Sequence, residues 1–442
     1  MAQRCFLIAD DLTGGADAGA QFAKRALNTL LVLYNENERI NFSKYTCQDV
    51  LVVNTDSRGL SPEKASSLLS NLFRNYKKEI FPIIYKKIDS TLRGNIGYEI
   101  DAILKEMNGS LCFMAPSYPE QNRRLVGGIM MVGEKPLAFS EAVQHTTSPV
   151  QESHVFKILQ DQSHNHVGWI DLTHVASSSE GLLKAVREEK KRGSKIIIFD
   201  AVSRQDLKHI ADVGFSIEPK PLFVGSAGLA EEVAKQLSPS RKRVIQGIRP
   251  FKHILVVSGS ASSITHQQLR RIENKDTPSF EITKSLIFGK GTGEEKELSE
   301  KVASSLSLGI TILKTPSKII ASKDSTDPPL HQRITKALAT IVLLAIRASK
   351  IKPSDLTFVL TGGETAQHII NGLGPEEIEI AGELLEGIVK GHLRGGNWDG
   401  LTVVTKAGAF GKEDALKRII GMIRMGSSMT EEEGKNESPD QR

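Results

Sequence analysis

Little in this 442-residue sequence serves covalent cross-linking, membrane insertion or nucleic-acid binding. It has 3 cysteines, Cys5, Cys47 and Cys112, an odd number, far apart and in no CxxC pair. That argues against a disulfide framework and against structural zinc. Cys5 and Cys112 lie in apolar runs and read as buried thiols. The longest largely apolar run, Ala337–Ile346, falls well short of the roughly 20 residues that span a bilayer. The apolar stretch Cys5–Ala9 is too short for a secretory signal, so a cytoplasmic protein with no membrane partner is expected. Aromatic residues make up 5% of the chain, and no stripe of Lys and Arg is interleaved with them. Nucleic acid is therefore not an expected partner. A net charge of +5 is mild for this length and suits an anionic small substrate without requiring one. The common nucleotide fingerprints are missing too. No GxxxxGK[ST] occurs, the run Gly289–Gly293 has the wrong spacing, and no GxGxxG follows a strand, which weakens both a P-loop ATPase and a Rossmann dehydrogenase. Gly225–Gly228 lacks the GxSxG spacing of an acyl-transfer nucleophile and reads as a helix-opening turn. His145, His154, His164 and His166 crowd one region, but their spacing fits no metal signature.

What is present is a repeated alternation of short apolar run, turn and amphipathic stretch. Phe6–Ala9, Thr29–Leu33, Val50–Asn54, Ile83–Lys87, Leu111–Ala115, Ser194–Phe199 and Leu222–Val224 read as strands. Ala16–Arg25, Pro62–Lys77 and Tyr98–Met107 read as helices between them. After a break at Ser238–Phe251, rich in Pro, Gly and charge, the pattern restarts with strands at His253–Val257, Ser279–Thr283, Ile310–Leu313, Leu356–Leu360 and Leu401–Val404. Helices are expected over Ile264–Ile272 and Gln332–Ala348. Such alternation predicts an α/β protein with mostly parallel sheets. The break divides it into two α/β domains, residues 1–240 and 250–425, with an active-site cleft expected between them. Ser317–Pro329 reads as a loop and residues 426–442 as a disordered tail.

The chemistry-bearing residues gather at predicted strand ends. In the second half, Ser258-Gly259-Ser260, Thr361-Gly362-Gly363-Glu364-Thr365 and Lys406-Ala407-Gly408 each close a strand and open a helix or turn. Glycine lets backbone approach a ligand, and N–H groups at a helix start bind anions, so three such turns favour a phosphate-bearing ligand. Ser258 and Thr365 offer hydroxyls, and Lys406 a compact positive charge. In the first half, Asp10-Asp11 follow the first strand, Asn54 to Gly59 the strand at Val50, and Lys86 to Asn95 the strand at Ile83. Arg58 and Arg93 offer forks that match a carboxylate. Asp11 and Asp89 can orient a hydroxyl or act as a base, although an Asp before a helix is also the usual N-cap.

The segments IADDLTGGADAG, NTDSR and KKIDSTLRGN, followed by VGSAGLA, VVSGSAS, LTGGETA and TKAGAFG, resemble the four-carbon acid sugar kinase family in order and over nearly the whole chain. The resemblance implies a sugar-acid-binding N-terminal domain, an ATP-binding C-terminal domain and phosphoryl transfer to a terminal (4-) hydroxyl, with Mg²⁺ as an expected companion of ATP. By motif it assigns the substrate to Asp11, Arg58, Lys87, Asp89, Ser90, Thr91 and Arg93, with Asp11 and Asp89 catalytic. It assigns ATP to Ser258, Thr361, Gly362, Gly363, Glu364 and Gly408, and leaves the metal ligands unnamed. The KKIDSTLRGN form is more similar to D-threonate and D-erythronate kinases than to 3-oxo-tetronate kinases, which remain the alternative. A non-catalytic sugar-acid-binding protein is the alternative of another class. The chain departs from the family's PAFPxxGRT segment and its following DGxxY-like turn at Asn122 and Met131.

Overall fold

The computed structural model describes residues 4–37, 39–107, 110–144, 150–238, 250–260, 262–289, 293–316, 329–408 and 410–426. Most of the expected linker and of the loop before Pro329, the tail after Gly426, and His145 lie outside these residues. The chain divides into two compact units, Met1–Arg243 with Glu376–Ile380, and Val244–Pro375 with Ala381–Arg442.

The first unit is built on eight parallel strands, in the order Thr29–Leu33, Val50–Asn54, Cys5–Ala9, Ile83–Lys87, Leu222–Gly225, Cys112–Ala115, Ile196–Phe199 and Val167–Ile170. Cys5–Ala9, Val50–Asn54 and Ile196–Phe199 are buried at every position, as parallel strands covered on both faces must be. Cys5 and Cys112 are buried free thiols in these strands, while Cys47 is exposed. From Cys5–Ala9 the chain first builds two strands to one side and then crosses to the other side with Ile83–Lys87. That reversal leaves a crevice at the carboxyl ends of the strands beside Cys5–Ala9, where open α/β sheets take their ligands.

Three features of this unit were not expected from the sequence. Ile378 and Glu379 pair antiparallel with Leu31 and Leu30, so a segment from late in the chain belongs to the first unit. Arg123–Val126, Ile129–Val132 and Lys135–Pro136 form a small antiparallel sheet. Asn122, which replaces the family's glycine, sits at φ 56°. Asparagine is the side-chain-bearing residue that best tolerates this left-handed conformation, so the turn survives the change.

In the second unit Ser279–Glu281, Ile310–Lys314, His253–Ser258, Leu356–Thr361 and Thr402–Lys406 run parallel in that order. Ile388–Arg394 joins Thr402–Lys406 antiparallel, in a stretch where no strand was expected. Ile254, Val256, Ile312, Val359 and Val404 pack against Leu416, Ile419 and Ile423 of the helix Ala415–Met425 to form a core. The expected long helix spans Leu330–Ser349 and buries Ile334, Leu338, Ile341 and Val342. Both units are therefore α/β with mostly parallel sheets. Among the described residues no helix is long and apolar enough to cross a membrane.

Candidate active site

In the first unit, three loops meet at the carboxyl ends of Cys5–Ala9, Val50–Asn54 and Ile83–Lys87. Asp11 is the N-cap of the helix Leu12–Ala23 and accepts from the Gly14 N–H at 3.2 Å and the Thr13 hydroxyl at 2.6 Å. It also accepts from Arg58 Nη2 at 2.5 Å, so capping and site membership coincide in one carboxylate. Arg58 closes a fork on Asp10, with Nε to Oδ2 at 2.9 Å and Nη2 to Oδ1 at 3.0 Å. Arg93 closes a second fork on Asp89, with Nε to Oδ2 at 2.5 Å and Nη2 to Oδ1 at 3.1 Å. Thr91 donates to the same Asp89 oxygen, and Leu92, at φ 58°, bends the loop so that Arg93 turns back onto Asp89. The forks expected to receive a substrate carboxylate are thus already engaged by Asp10 and Asp89. Each guanidinium keeps its Nη1 without a hydrogen bond among the described residues.

Burial opposes ionisation of Asp89, but Arg93 and then Arg58 override it and hold the carboxyl well below its usual range. Burial works the same way on Asp10, where Arg58, Lys86 and Lys87 win and the pKa is lowered. Both carboxylates are therefore charged at neutral pH and poor proton acceptors.

Lys87 is different. It is 5% exposed and gives one hydrogen bond, to the Ile88 carbonyl at 2.8 Å. It makes no ion pair among the described residues. A Cβ placed on Gly14 would lie 3.0 Å from its Nζ and 2.4 Å from Asp11 Oδ1, which sets the ammonium in the middle of the cluster. Ser90, also buried, makes no side-chain hydrogen bond among the described residues. Lys87 and Ser90, with the Nη1 groups of Arg58 and Arg93, are the donors left open to a ligand.

Behind this cluster is an ion pair that sequence reasoning missed. Lys86 Nζ lies 2.7 Å from Glu99 Oε2, both fully buried, and donates to the Lys87 carbonyl at 3.0 Å. Glu99 Oε1 accepts from Ser57 at 2.5 Å, and Ser57 and Thr55 hydroxyls lie 2.8 Å apart. Asn95 Nδ2 holds the Ser57 and Leu60 carbonyls, at 3.2 and 2.9 Å. The loop that carries Arg58 is thereby tied to the helix Ile96–Glu106. By contrast, Gly225–Gly228 is a closed structural turn. Ser226 caps the helix Ala227–Leu237, is 1% exposed and bonds the Ser117 carbonyl at 2.8 Å.

The second unit brings its three Gly-rich turns together. Ser258, Thr361 and Lys406 are register partners across three neighbouring strands and so stand on one face. Ser258 is 1% and Thr361 0% exposed, yet neither hydroxyl has a hydrogen-bond partner among the described residues. Buried polar groups are nearly always paired, so two adjacent orphans mark a place built for something else. Gly362, at φ 99°, opens the helix Gly363–Leu373, which no side chain caps. A Cβ on Gly408 would lie 2.3 Å from Ser260 Oγ, and one on Gly362 would lie 3.7 Å from the Ser260 N. Glu364 is exposed, with its carboxylate 3.8 Å from His331 Nε2. Lys406 is not presented as expected. Its Nζ is fully buried and faces three backbone carbonyls of its own loop at 2.9–3.1 Å, which leaves no donor for a ligand.

A nucleotide fits this set, with two orphan hydroxyls, an uncapped helix start and a glycine-lined approach for phosphate. For a metal, no group of three His, Cys, Asp or Glu side chains converges among the described residues. Mg²⁺ needs no such group, because one or two carboxylates with phosphate oxygens and water suffice.

Family models match both units, one of a sugar-binding N-terminal domain over residues 5–233 and one of a nucleotide-binding C-terminal domain over residues 255–416. The D-erythronate kinase of Heliobacterium modesticaldum is 28% identical over 424 residues, covering 92% of this chain and 94% of the relative. The D-threonate kinase of Salmonella typhimurium is 28% identical over 433 residues, covering 93% and 96%. The 3-oxo-tetronate kinase of Actinobacillus succinogenes is 24% identical over 429 residues, covering 94% and 99%. Among solved structures, the Haemophilus influenzae protein HI1011 shares the fold, with a TM-score of 0.70 at 22% identity over 95% of this chain and 100% of that one.

Proposed function

This chain belongs to the four-carbon acid sugar kinase family, and from that premise we propose that it transfers the γ-phosphoryl group of ATP to the terminal hydroxyl of a four-carbon sugar acid such as D-threonate or D-erythronate. The observation that carries the sugar-acid half is Lys87, a buried ammonium with one carbonyl partner beside an otherwise fully paired set of charges. It is the natural partner of a substrate carboxylate, with Ser90 donating alongside. The open Nη1 groups of Arg58 and Arg93 extend the same positive face. Thr91 and Arg93 hold Asp89, and Arg58 and Thr13 hold Asp11, so that each carboxylate offers a fixed acceptor edge to substrate hydroxyls. In the second unit Ser258, Thr361, Gly362, Gly363 and Gly408 cradle the phosphates.

The chemistry suits these residues. Phosphoryl transfer runs through a loose transition state, in which the attacking hydroxyl needs alignment more than early deprotonation. An Asp89 held well below its usual pKa range is a weak base but a firm orienting acceptor. The terminal oxygen forms the new bond to phosphorus, the bond to the β-phosphate oxygen breaks, ADP leaves, and the hydroxyl proton passes late to solvent water. Mg²⁺, when bound with ATP, supplies charge neutralisation on the phosphates.

The test is an ADP-release assay with Mg²⁺ and ATP over D-erythronate, D-threonate, 3-oxo-tetronate and sugar acids of three to six carbons. Turnover that is highest on a four-carbon acid is expected. No ADP release with any of them sinks the kinase reading.

A further inference from the structure

In the turn that follows Thr402–Lys406, nearly every described carbonyl is drawn to the inside. Lys406 Nζ donates to the carbonyls of Ala407 at 2.9 Å, Gly408 at 3.1 Å and Phe410 at 3.0 Å. Gln268 Nε2 donates to those of Phe410 at 3.2 Å, Gly411 at 3.1 Å and Lys412 at 2.8 Å. Thr265 Oγ1 donates to that of Gly408 at 2.6 Å. Lys406, Gln268 and Thr265 are all fully buried. Thr265 and Gln268 come from one helix, Ser263–Arg270, which the first Gly-rich turn opens.

The C=O and the following N–H of a peptide unit point in opposite directions. Pulling the carbonyls of Ala407, Phe410 and Gly411 inward therefore turns the N–H groups of Gly408, Gly411 and Lys412 outward. None of these three N–H groups has a hydrogen-bond partner among the described residues. The adjacent N–H groups of Gly411 and Lys412 have the pattern of an anion-binding concavity, with that of Gly408 as a further open donor, while the Phe410 N–H is spent on the Ala407 carbonyl at 3.1 Å. Gly408 packs against Ser260, beside the orphan hydroxyls of Ser258 and Thr361, which independently mark the same face as a ligand site.

We propose that Lys406, Gln268 and Thr265 are positioning residues that preset this turn to receive the phosphates of the nucleotide, through its backbone N–H groups. Lys406 acts from underneath, through the carbonyls, and does not touch the ligand. Its value is preorganisation: the N–H groups are aimed before the nucleotide arrives, so little ordering remains to be done on binding. This rests on the nucleotide-binding reading of the second unit. It adds which residues shape the site and assigns the lysine to the scaffold instead of the phosphate.

The test is an ADP titration of the full chain, with steady-state kinetics on the best sugar acid. Lys406→Met keeps the apolar stem and removes all three carbonyl contacts, and weakens ADP binding at least about tenfold. Thr265→Val removes one contact with little change of shape and weakens ADP about threefold or more. In both, KM for ATP rises while KM for the sugar acid stays within about twofold, a split that general loss of structure does not produce. If Lys406→Met fails to fold, Thr265→Val and Gln268→Leu decide the matter. Folded variants that bind ADP within about twofold of the parent overturn the proposal, as does an equal loss for ATP and sugar acid. Failure of the parent protein itself to bind ADP overturns the nucleotide reading first, and is seen before any variant is made.

Discussion

The orphan hydroxyls of Ser258 and Thr361 lead to a prediction with two readouts of opposite sign. A buried hydroxyl without a partner costs about 1–3 kcal/mol relative to water. Thr361→Val replaces it with a methyl of nearly the same shape, at a site 0% exposed, so no cavity opens. The unliganded protein is then expected to gain about 1–2 kcal/mol, or roughly 2–8 °C in the melting of a unit of this size. Ser258→Ala gains less, because the missing oxygen leaves a small void. The same substitutions remove a donor to a charged ligand, a bond of about 1.5–3 kcal/mol, so ADP binds about 10- to 150-fold more weakly. The chain has 2 tryptophans, Trp169 in the first unit and Trp398 in the second. In a Trp169→Phe background, Trp398 fluorescence follows the melting of the second unit while calorimetry follows ADP. A Thr361→Val protein that is destabilised and binds ADP normally would refute the argument, because the hydroxyl would then have a structural partner and no role with ligand.

Other consequences follow from the charges of both units. Asp89→Asn keeps the shape but loses the fixed anionic acceptor, and kcat falls at least about 100-fold in the ADP-release assay. The same variant tests acid stability. The Asp89 carboxyl has its folded pKa well below the unfolded 3.8, so between those values the unfolded chain binds more protons and stability drops as pH falls. Asp89→Asn removes its share of that slope, read as a flatter urea-unfolding profile below about pH 4. Glu99→Leu strands the buried Lys86 ammonium and costs about 3–5 kcal/mol, much of it recovered in Lys86→Met/Glu99→Leu, as measured by Trp169 fluorescence in a Trp398→Phe background. Burial pushes Lys406 down to about 7 from 10.5, so between those values the native state holds fewer protons than the unfolded chain. Stability of the second unit therefore rises with pH across that window, by up to about 1.4 kcal/mol per pH unit, and Lys406→Met abolishes the rise.

The sheets were legible because their strands are short apolar runs buried on both faces, and Cys5–Ala9 or Val50–Asn54 can be read directly. The site loops were legible for a related reason: polar residues such as Asp11, Arg58 and Asp89 follow at once where an apolar run stops. The strand Glu377–Leu385 was less visible, since its charges alternate with apolar residues and its pairing partner, Leu31, lies far back in the chain. The same holds for Arg123–Val126, whose outward positions are polar or exposed. Lys86 stands in the sequence only as a residue at the end of a strand, and the tertiary structure is what shows Glu99 paired with it. Asp10 was visible as a cap or a site residue but not as the partner of Arg58, 48 residues away. Lys406 was misread because a lysine beside glycines suggests phosphate, whereas the fold turns its ammonium under the loop.

The two units bury polar groups in different ways, and the difference bears on substrate choice. In the second unit the open groups are neutral hydroxyls and N–H dipoles, which an anionic ligand satisfies without displacing anything. In the first unit the charges are engaged in pairs, Arg58 with Asp10 and Asp11, Arg93 with Asp89, Lys86 with Glu99. Lys87 is the buried cation without such a pair among the described residues. A sugar acid that brings its carboxylate to Lys87 completes the set. A polyol of the same length brings the hydroxyls but leaves the ammonium buried with one carbonyl partner. Sites built to satisfy a polar group reject an analogue lacking it strongly, and a preference of about 10²–10⁴ in kcat/KM for the acid over the polyol is expected. Lys87→Met should collapse that ratio mainly by lowering the rate on the acid, with the polyol rate little changed. A ratio that stays intact in Lys87→Met would instead give the carboxylate to the open Nη1 groups of Arg58 and Arg93, since these are the remaining cationic donors that the paired cluster leaves free.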